Sequence, residues 1–434
     1  MSIRNALLGA SALTAFGLAA QAEDITIATV NNGDMIIMQE LSSTWEEATG
    51  NKINWVILEE NVLRERVTTD IATQGGQYDI MTIGSYEAPI WGKQGWLTPL
   101  DGIEGYDYDD LIPAVRAGLS SDGTLFALPF YAESSFTMYR KDLFEAAGLT
   151  MPEQPSYAQI AEFAAKLTDK GKEQYGICLR GKPGWGENMA FFGTLVNSNG
   201  GIWFDENWTP QLDQQPWSDA LNYYLDVMTN YGPPGATSNG FNENQALFQT
   251  GKCAIWIDAT SAAGRVFDPN QSQVADSVGF TVAPVASVDK GNAWFWAWSL
   301  AIPASSKKVD VAKDFVAWAT SQDYVTLVGE QKGWVAVPPG TRQSTYENQN
   351  YVDAAPFAAT VLSAIENANP DDATAVPVPY SGIQYVSIPE FQGIGTSVGQ
   401  NISAALAGQM SAEDALAAAQ STAAREMARA GYPK

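Results

Sequence analysis

The chain has 434 residues, a formal net charge of −25 at pH 7 and no histidine. Since a single hydrophobic core stops growing at about 250–300 residues, this length predicts two domains. The negative charge opposes binding to nucleic acid and to anionic membranes. The absence of histidine removes the usual general base, the usual zinc ligand and every histidine-containing triad, so we expect neither a metal nor a cofactor.

The first 22 residues have the pattern of a secretory signal peptide. Arg4 precedes an apolar stretch over residues 6–20, and Ala20, Gln21 and Ala22 form an A-x-A cleavage site. A membrane anchor is the alternative, but the stretch is short for a spanning helix and contains Ser and Thr. We expect cleavage before Glu23, a mature charge of 23 − 49 = −26, and an exported protein without direct membrane insertion.

The mature chain opens with alternating strands and helices. The predicted elements are strands at residues 25–30, 53–58 and 78–84 and helices at residues 38–48 and 63–74. This order is typical of an α/β domain with a mostly parallel sheet that is covered by helices on both faces.

Polar residues follow two of these strands. Asn31 and Asn32 come after the first strand, and Tyr86 and Glu87 come after the third. Because open α/β sheets bind ligands at the carboxyl ends of their strands, we expect these side chains to contact a ligand. The asparagine pair has a second interpretation as the N-cap of the following helix, and one residue can serve both roles.

From residue 124 onward the order of elements changes. Two extended runs over residues 124–140 are joined through residues 131–134 without a helix, which indicates that the chain crosses into a second lobe. The segments that follow are helices at residues 156–169, 188–199 and 216–232, strands at 175–180 and 252–258, and an aromatic hairpin at 201–212. Residues 333–340 predict another crossing, and the C-terminal part is helical.

The two cysteines lie in strand-like segments. Cys178 belongs to YGICLR and Cys253 to KCAIWI. In an oxidising compartment they can pair if the two strands are neighbours, whereas two buried free thiols are the alternative. Without a histidine partner neither cysteine is expected to be catalytic.

Three tryptophans alternate in GNAWFWAWSLAIP, residues 291–303. The aromatic content and the closing proline favour a strand, in which Trp294, Trp296 and Trp298 all point to one face. Indole faces pack against C–H groups, so we expect at least one of them in a binding cleft, with Trp294 the one expected to be structural. The other candidates are Trp91, Trp185 and Trp256. Burial in a core is the alternative for each tryptophan.

Several segments together resemble the periplasmic solute-binding proteins of ABC importers. They are YDIMTIG, LPFYAESSFTMYRKDLFEAAGL, FNENQALFQTGKCAIWID and AIPASSKKVDVAKDFVAWATS. The chain looks most similar to the sugar-binding group that includes the maltose-binding protein. Within that group, SYEAPIWGKQGWLTPLDGI and WFWAWSLAIPASSKK are similar to sorbitol and mannitol receptors.

The resemblance implies an α/β fold of two lobes, each a mostly parallel sheet flanked by helices, joined by hinge strands. It assigns residues 23–131 and 287–342 to the first lobe, and residues 132–286 and 343–434 to the second. A ligand closes between the lobes.

The resemblance also implies roles for individual residues. Glu133 stands where maltose-type proteins place a hinge-side carboxylate that binds hydroxyls. Tyr86 and Glu87 fall in the sugar loop of the first lobe, and Asp258 falls in a loop of the second. The chain departs from the maltose type by having Tyr86 in place of an acidic residue, and Thr260 and Ser261 in place of a stacking aromatic, which argues against maltodextrins.

Arg180 ends a predicted strand and begins a glycine-rich loop. We expect it to bond ligand hydroxyls in the cleft, and a surface salt bridge is the alternative. The resemblance thus implies a receptor that captures a hexitol and delivers it to the permease subunits of an ABC importer. A receptor for a mono- or disaccharide, a sensor-associated receptor and a secreted carbohydrate-active enzyme are the alternatives, the last with Glu133 and Asp258 as an acid/base pair.

Overall fold

The computed structural model describes residues 22–433, so the predicted signal peptide lies outside the described residues except for Ala22. The described chain has two lobes, each built on its own sheet with helices packed against it. The strands are β1 Asp24–Val30, β2 Lys52–Leu58, β3 Ile80–Gly84, β4 Ser120–Ser121, β5 Thr124–Leu125, β6 Leu128–Glu133, β7 Ser135–Arg140, β8 Tyr175–Cys178, β9 Cys253–Ala259, β10 Val278–Val282 and β11 Trp296–Ala301.

The α-helices pack against both sheets and fill the remainder of each lobe. They are α1 Gly33–Leu41, α2 Ser43–Thr49, α3 Glu60–Thr73, α4 Glu87–Lys93, α5 Pro113–Gly118, α6 Lys141–Ala146, α7 Tyr157–Leu167, α8 Asn188–Ser198, α9 Gln215–Tyr231, α10 Phe241–Gln249, α11 Ala263–Val266, α12 Val309–Ala319, α13 Gln322–Lys332, α14 Gln343–Glu347, α15 Gln349–Ala354, α16 Ala358–Glu366, α17 Phe391–Leu406 and α18 Ala412–Arg429.

Each sheet contains one reversed strand. The first-lobe sheet has the order β2-β1-β3-β11-β6, and the second-lobe sheet has the order β10-β7-β9-β8. β11 runs antiparallel to both neighbours in the first sheet, and β7 does so in the second. Each is the first strand after the chain enters that lobe from the other, so no crossover helix within the lobe dictates its direction.

The chain passes from the first sheet to the second between β6 and β7. Glu133 still pairs with Trp296 of β11, and Ser135 already pairs with Ala259 of β9. At Ser134 between them, the backbone carbonyl accepts a hydrogen bond from the Thr260 N–H at 2.9 Å. This passage lies within the predicted crossing at residues 131–134.

The strands β1, β2 and β3 and the helix α3 confirm the predicted alternation at the start of the chain. One local prediction was wrong. The single helix over residues 38–48 is divided into α1 and α2, because the Ser42 hydroxyl donates to the Gln39 carbonyl and competes with the helical pattern. The predicted hairpin at residues 201–212 is present in minimal form, as one antiparallel bridge between Phe204 and Pro210.

A disulfide joins Cys178 of β8 to Cys253 of β9, and the Cα atoms are 5.9 Å apart. Both residues are fully buried in the second lobe. Of the two alternatives, a disulfide or two free thiols, the structure contains the disulfide. Within residues 22–433, no helix combines the length and the apolar character needed to cross a membrane.

Candidate functional site

A cavity lies between the two lobes, where the carboxyl ends of β1, β2, β6 and β8 meet the start of β11. It encloses about 760 Å³ of unfilled space, its mouth included. We call it the interlobe cavity. Its walls are formed by Val30, Asn31, Asn32, Glu59, Glu60, Arg64, Tyr131, Glu133, Arg180, Lys182, Trp185, Gly186, Glu187, Ala190, Phe241, Asn242, Glu243, Trp294, Trp296, Trp298 and Gln384.

Four indoles form the apolar part of the wall. Trp296 and Trp298 lie in β11, Trp294 comes just before it, and Trp185 faces them from the second lobe. The ring centroids of Trp185 and Trp296 are 5.6 Å apart, and those of Trp296 and Trp298 are 5.5 Å apart, both in edge-to-face contact. β11 begins only at Trp296, yet Trp294 also reaches the cavity. The alternation therefore brings all three indoles to the same cavity.

The Arg64 guanidinium lies among three of these indoles. Its central carbon is 4.0 Å from the ring centroid of Trp185, 4.9 Å from that of Trp296 and 4.8 Å from that of Trp298. Because Trp185 belongs to the other lobe, this cation–π contact connects the two lobes.

Two carboxylates hold Arg64 in this position. Its Nη2 lies 2.8 Å from Glu60 Oε1, and its Nη1 lies 2.7 Å from Glu87 Oε1. Burial alone lowers the pKa of Arg64, but the two carboxylates outweigh it and raise that pKa above its usual value. Arg64 therefore keeps its positive charge although three indoles surround it.

Arg180 and Asp258 form a buried ion pair in the second lobe. Arg180 Nη2 donates to Asp258 Oδ1 at 2.6 Å, and Arg180 Nε lies 3.0 Å from Oδ2. The Asp258 carboxylate also accepts from Trp256 Nε1 at 3.1 Å and from the Ala259 N–H at 2.7 Å. All its acceptor capacity is used by the protein. Asp258 therefore fixes Arg180, whose other amino group donates to the Gly186 carbonyl at 2.8 Å.

Glu133 enters the cavity from the end of β6. Its Oε2 accepts a hydrogen bond from the Ser261 hydroxyl at 2.6 Å. Burial raises the pKa of Glu133 to about 8, against the lowering effects of Ser261 and Arg180. Burial also raises the pKa of Glu187, on the opposite wall, to about 7, and Glu60 adds to that shift.

Asn32 caps a helix and also lies on the cavity wall. Its Oδ1 accepts from the Met35 N–H at 3.0 Å, which makes it the N-cap of α1. Its Nδ2 donates to the Tyr131 hydroxyl at 2.9 Å. The amide is therefore rigidly oriented.

Hydrogen bonds and an ion pair cross between the lobes around the cavity. Lys182, after β8, pairs with Glu59, after β2. Asn61 Nδ2 donates to the Pro183 carbonyl at 3.2 Å, and Asn242 Nδ2 donates to the Asn31 carbonyl at 3.0 Å. The lobes are thus in contact along the rim of the cavity, and the structure is a closed one.

Six of the nine residues that the sequence singles out lie on the cavity wall. They are Asn32, Glu133, Arg180, Trp185, Trp296 and Trp298. The other three lie behind it: Glu87 supports Arg64, Asp258 supports Arg180, and the Tyr86 hydroxyl donates to the Ile388 carbonyl at 2.9 Å.

Two further tryptophan candidates do not reach the cavity. Trp91 is buried in α4, and Trp256 is buried in β9, where it donates to Asp258. Asp258 is saturated behind the wall, so Glu133 and Asp258 do not line the cavity together as an acid/base pair.

The sequence reasoning missed several residues of the wall. The most prominent are Glu60, Arg64, Tyr131, Lys182, Glu187 and Gln384. A signal for the first two was present, since the rule that places ligands at strand ends applies equally to the loop after β2. Glu60 and Arg64 are also spaced i,i+4 at the start of α3, which predicts an ion pair.

The arrangement suits a small polyhydroxy ligand. A hydroxyl both donates and accepts, so carboxylates, guanidinium groups and amides can satisfy it in pairs. The indole faces pack against C–H groups between the hydroxyls.

Comparisons with known proteins agree with this geometry. The family of bacterial extracellular solute-binding proteins matches residues 32–326. A mannitol-binding protein of Pseudomonas aeruginosa is 58% identical over 431 residues, which cover 99% of this chain and 99% of that protein.

Solved structures extend the likeness. A solute-binding protein of Agrobacterium vitis with bound D-mannitol is 61% identical, with a TM-score of 0.94, and the match covers 95% of this chain and 100% of that one. A solute-binding protein of Agrobacterium radiobacter in complex with ribitol is 25% identical, with a TM-score of 0.82, over 93% of this chain and 98% of that one. The chain therefore belongs to the bacterial extracellular solute-binding protein family.

Proposed function

We propose that this protein is the periplasmic receptor of an ABC importer and that its ligand is a hexitol of the mannitol or sorbitol type. The observation that carries the proposal is the D-mannitol held by a structure with 61% identity and a TM-score of 0.94. The mannitol-binding protein with 58% identity supports the same ligand class.

The interlobe cavity supports this ligand on physical grounds. An acyclic hexitol offers a string of C–H groups to the indoles of Trp185, Trp296 and Trp298. Its hydroxyls reach Arg180 and Glu133, which come from opposite lobes. A flexible alditol loses several torsions on binding, and an enclosed cavity with orientated groups offsets that entropic cost better than an open groove.

Binding then works as a population shift toward the closed form. The ligand bonds to both lobes only when they meet, so its affinity for the closed form exceeds that for the open one. The closed, loaded protein is the species that the permease subunits of the importer receive. The signal peptide at residues 1–22, the monomeric state and the predicted division into lobe segments belong to the same proposal, except that the first segment extends through Glu133, the last residue of β6.

Titration calorimetry with mannitol, sorbitol, ribitol, glucose and maltose tests the ligand. We expect micromolar or tighter binding of a hexitol, with glucose and maltose at least about tenfold weaker, a difference of about 1.4 kcal/mol. Equal or tighter binding of maltose would refute the hexitol assignment in favour of a saccharide receptor. Turnover of any sugar in the same mixtures would instead support an enzyme.

A further inference from the structure

Every cation of the interlobe cavity is already engaged by carboxylates of the protein. The pairs are Arg64 with Glu60 and Glu87, Arg180 with Asp258 and Glu187, and Lys182 with Glu59 and Glu187. No guanidinium or ammonium group of the wall is left to balance another negative charge.

Carboxyl groups are in excess around the same cavity. The cavity has three cations and seven carboxyl groups around it, and five of the carboxyl groups lie on the wall and two directly behind it. The seven are Glu59, Glu60, Glu133, Glu187 and Glu243 on the wall, with Glu87 and Asp258 behind. The cavity therefore repels anions and favours a positive charge.

Among the described residues, two members of this set form no ion pair, Glu133 and Glu243. Glu243 accepts the Gly240 N–H at the start of α10 at 2.9 Å, so Glu133 is the member left for a ligand. Within residues 22–433 it forms no ion pair, and the contact of its carboxyl group with a side chain is the hydrogen bond from Ser261 to Oε2. It is 6% exposed and lies on the cavity wall. Trp296 is its direct cross-strand partner, so the two side chains share one face of the sheet. A buried carboxyl group with an indole beside it has the chemistry of a site for an alkylammonium group.

We propose that the interlobe cavity also binds cationic polyols, in which a terminal hydroxyl is replaced by an amine that bonds to Glu133, and that it rejects polyol acids. This inference rests on the proposed hexitol function and extends it. An ammonium group has about the size of the hydroxyl that it replaces, so the ligand needs no additional room. It can donate up to three hydrogen bonds, and its charge makes them stronger than those of a hydroxyl.

The protonation state of Glu133 gives the inference a second signature. The neighbouring charges are Asp258 and Glu60, which oppose its ionisation, and Arg180, which favours it. Burial raises the pKa of Glu133 to about 8, so its carboxyl group is protonated in the empty cavity at neutral pH. Binding of an ammonium group stabilises the carboxylate, and the proton leaves to solvent. A neutral hexitol has no such effect.

Calorimetry with three matched ligands tests the proposal. The probes are D-mannitol, its analogue with one terminal hydroxyl replaced by an amine (mannamine), and its analogue with one terminal carboxylate (mannonate). We expect the wild-type protein to bind mannamine at least as tightly as mannitol, and mannonate at least about a hundredfold more weakly than mannitol. Mannamine should release protons at neutral pH, seen as a dependence of the binding enthalpy on the buffer, and mannitol should not.

Variants assign the effect to Glu133. In Glu133→Gln the ratio of mannamine to mannitol affinity should fall at least about tenfold, and the proton release should vanish. Glu65→Gln is the matched control, because Glu65 is exposed on α3 outside the cavity and loses the same charge. If Glu133→Gln does not fold, Glu187→Gln takes its place, and the proton release should persist in that variant if Glu133 is its source.

The outcomes separate this inference from the proposed function. Tight mannitol binding together with mannamine binding more than tenfold weaker, or with no proton release, overturns the inference and leaves the hexitol receptor intact. Absence of binding for every neutral hexitol overturns the proposed function instead, and mannamine binding in that case would leave the cationic preference standing.

Discussion

Replacing Asp258 by Asn should destabilise the protein strongly even though Asp258 does not line the cavity. Asp258 is 1% exposed and Arg180 is 5% exposed, so their pairing takes place away from water. The substitution keeps the shape of the side chain and removes its charge. Arg180 keeps its positive charge in the variant, because a guanidinium group is not deprotonated in proteins.

The size of the effect follows from the geometry. Removing one partner of a buried ion pair typically costs about 3–5 kcal/mol, because the other charge stays buried and uncompensated. Glu187, 3.8 Å from Arg180 Nη1, remains as a second carboxyl group. We therefore expect a loss near the lower end, about 3 kcal/mol in the free energy of unfolding. Affinity for the hexitol should also fall roughly tenfold, since Arg180 is no longer held in place.

Urea unfolding of the unliganded protein measures the first effect, and calorimetry with mannitol measures the second. Asp142→Asn is the matched control, because Asp142 makes a partly exposed ion pair with Arg140 in the same lobe. That change should cost no more than about 1 kcal/mol. If Asp258→Asn proves as mild as Asp142→Asn while mannitol affinity collapses, Asp258 is a ligand group, as the sequence suggested, and the positioning role is wrong.

Three further predictions concern closure, the disulfide and pH. Lys182→Gln removes an ion pair across the cavity rim and should speed mannitol release several-fold in stopped-flow tryptophan fluorescence, whereas Lys252→Gln, which breaks an exposed pair elsewhere, should leave the release rate unchanged. Replacing Cys178 and Cys253 together by Ala opens a link between residues 75 positions apart and should lower the unfolding free energy by about 2–5 kcal/mol; a change below about 0.5 kcal/mol in urea unfolding would contradict this. Since the pKa of Glu133 is raised from 4.5 to about 8 in the folded state, its contribution to stability is fully present below about pH 4.5 and is lost progressively as pH rises to about 8. The wild-type protein should therefore lose melting temperature relative to Glu133→Gln between about pH 5 and pH 8, and parallel curves would show that Glu133 does not titrate there.

The sequence was sufficient for elements whose pattern is local. The strands β1, β2 and β3 follow from short apolar runs, and their order predicts which loops meet at one edge of the sheet. The same rule leads to Asn32 after β1, and it would have led to Glu60 after β2. Apolar periodicity failed to predict the helix break at Ser42. There a side-chain hydrogen bond to the backbone interrupts the helix although the apolar spacing continues.

Ion pairs between distant parts of the chain could not be predicted. Arg180 and Asp258 are 78 positions apart, and from the sequence each was predicted to bind the ligand directly. Only their contact reveals that Asp258 is saturated and that its role is to orient Arg180. The burial of Arg64 among indoles was equally hidden, because Trp185 approaches it from the other lobe.

The alternation in WFWAW by itself determined that three indoles share one face, since side chains in extended backbone alternate with a period of two. It could not determine what that face meets. The tertiary structure decided this by placing β11 as a reversed strand beside β6, opposite the loop that carries Trp185. Periodicity is a property of the local backbone, whereas the partners of a face depend on which distant segments the fold brings together. For that reason the sequence revealed the indole face together with Glu133 and Arg180, and only the fold revealed the further charged groups of the wall, Glu60, Arg64, Lys182 and Glu187.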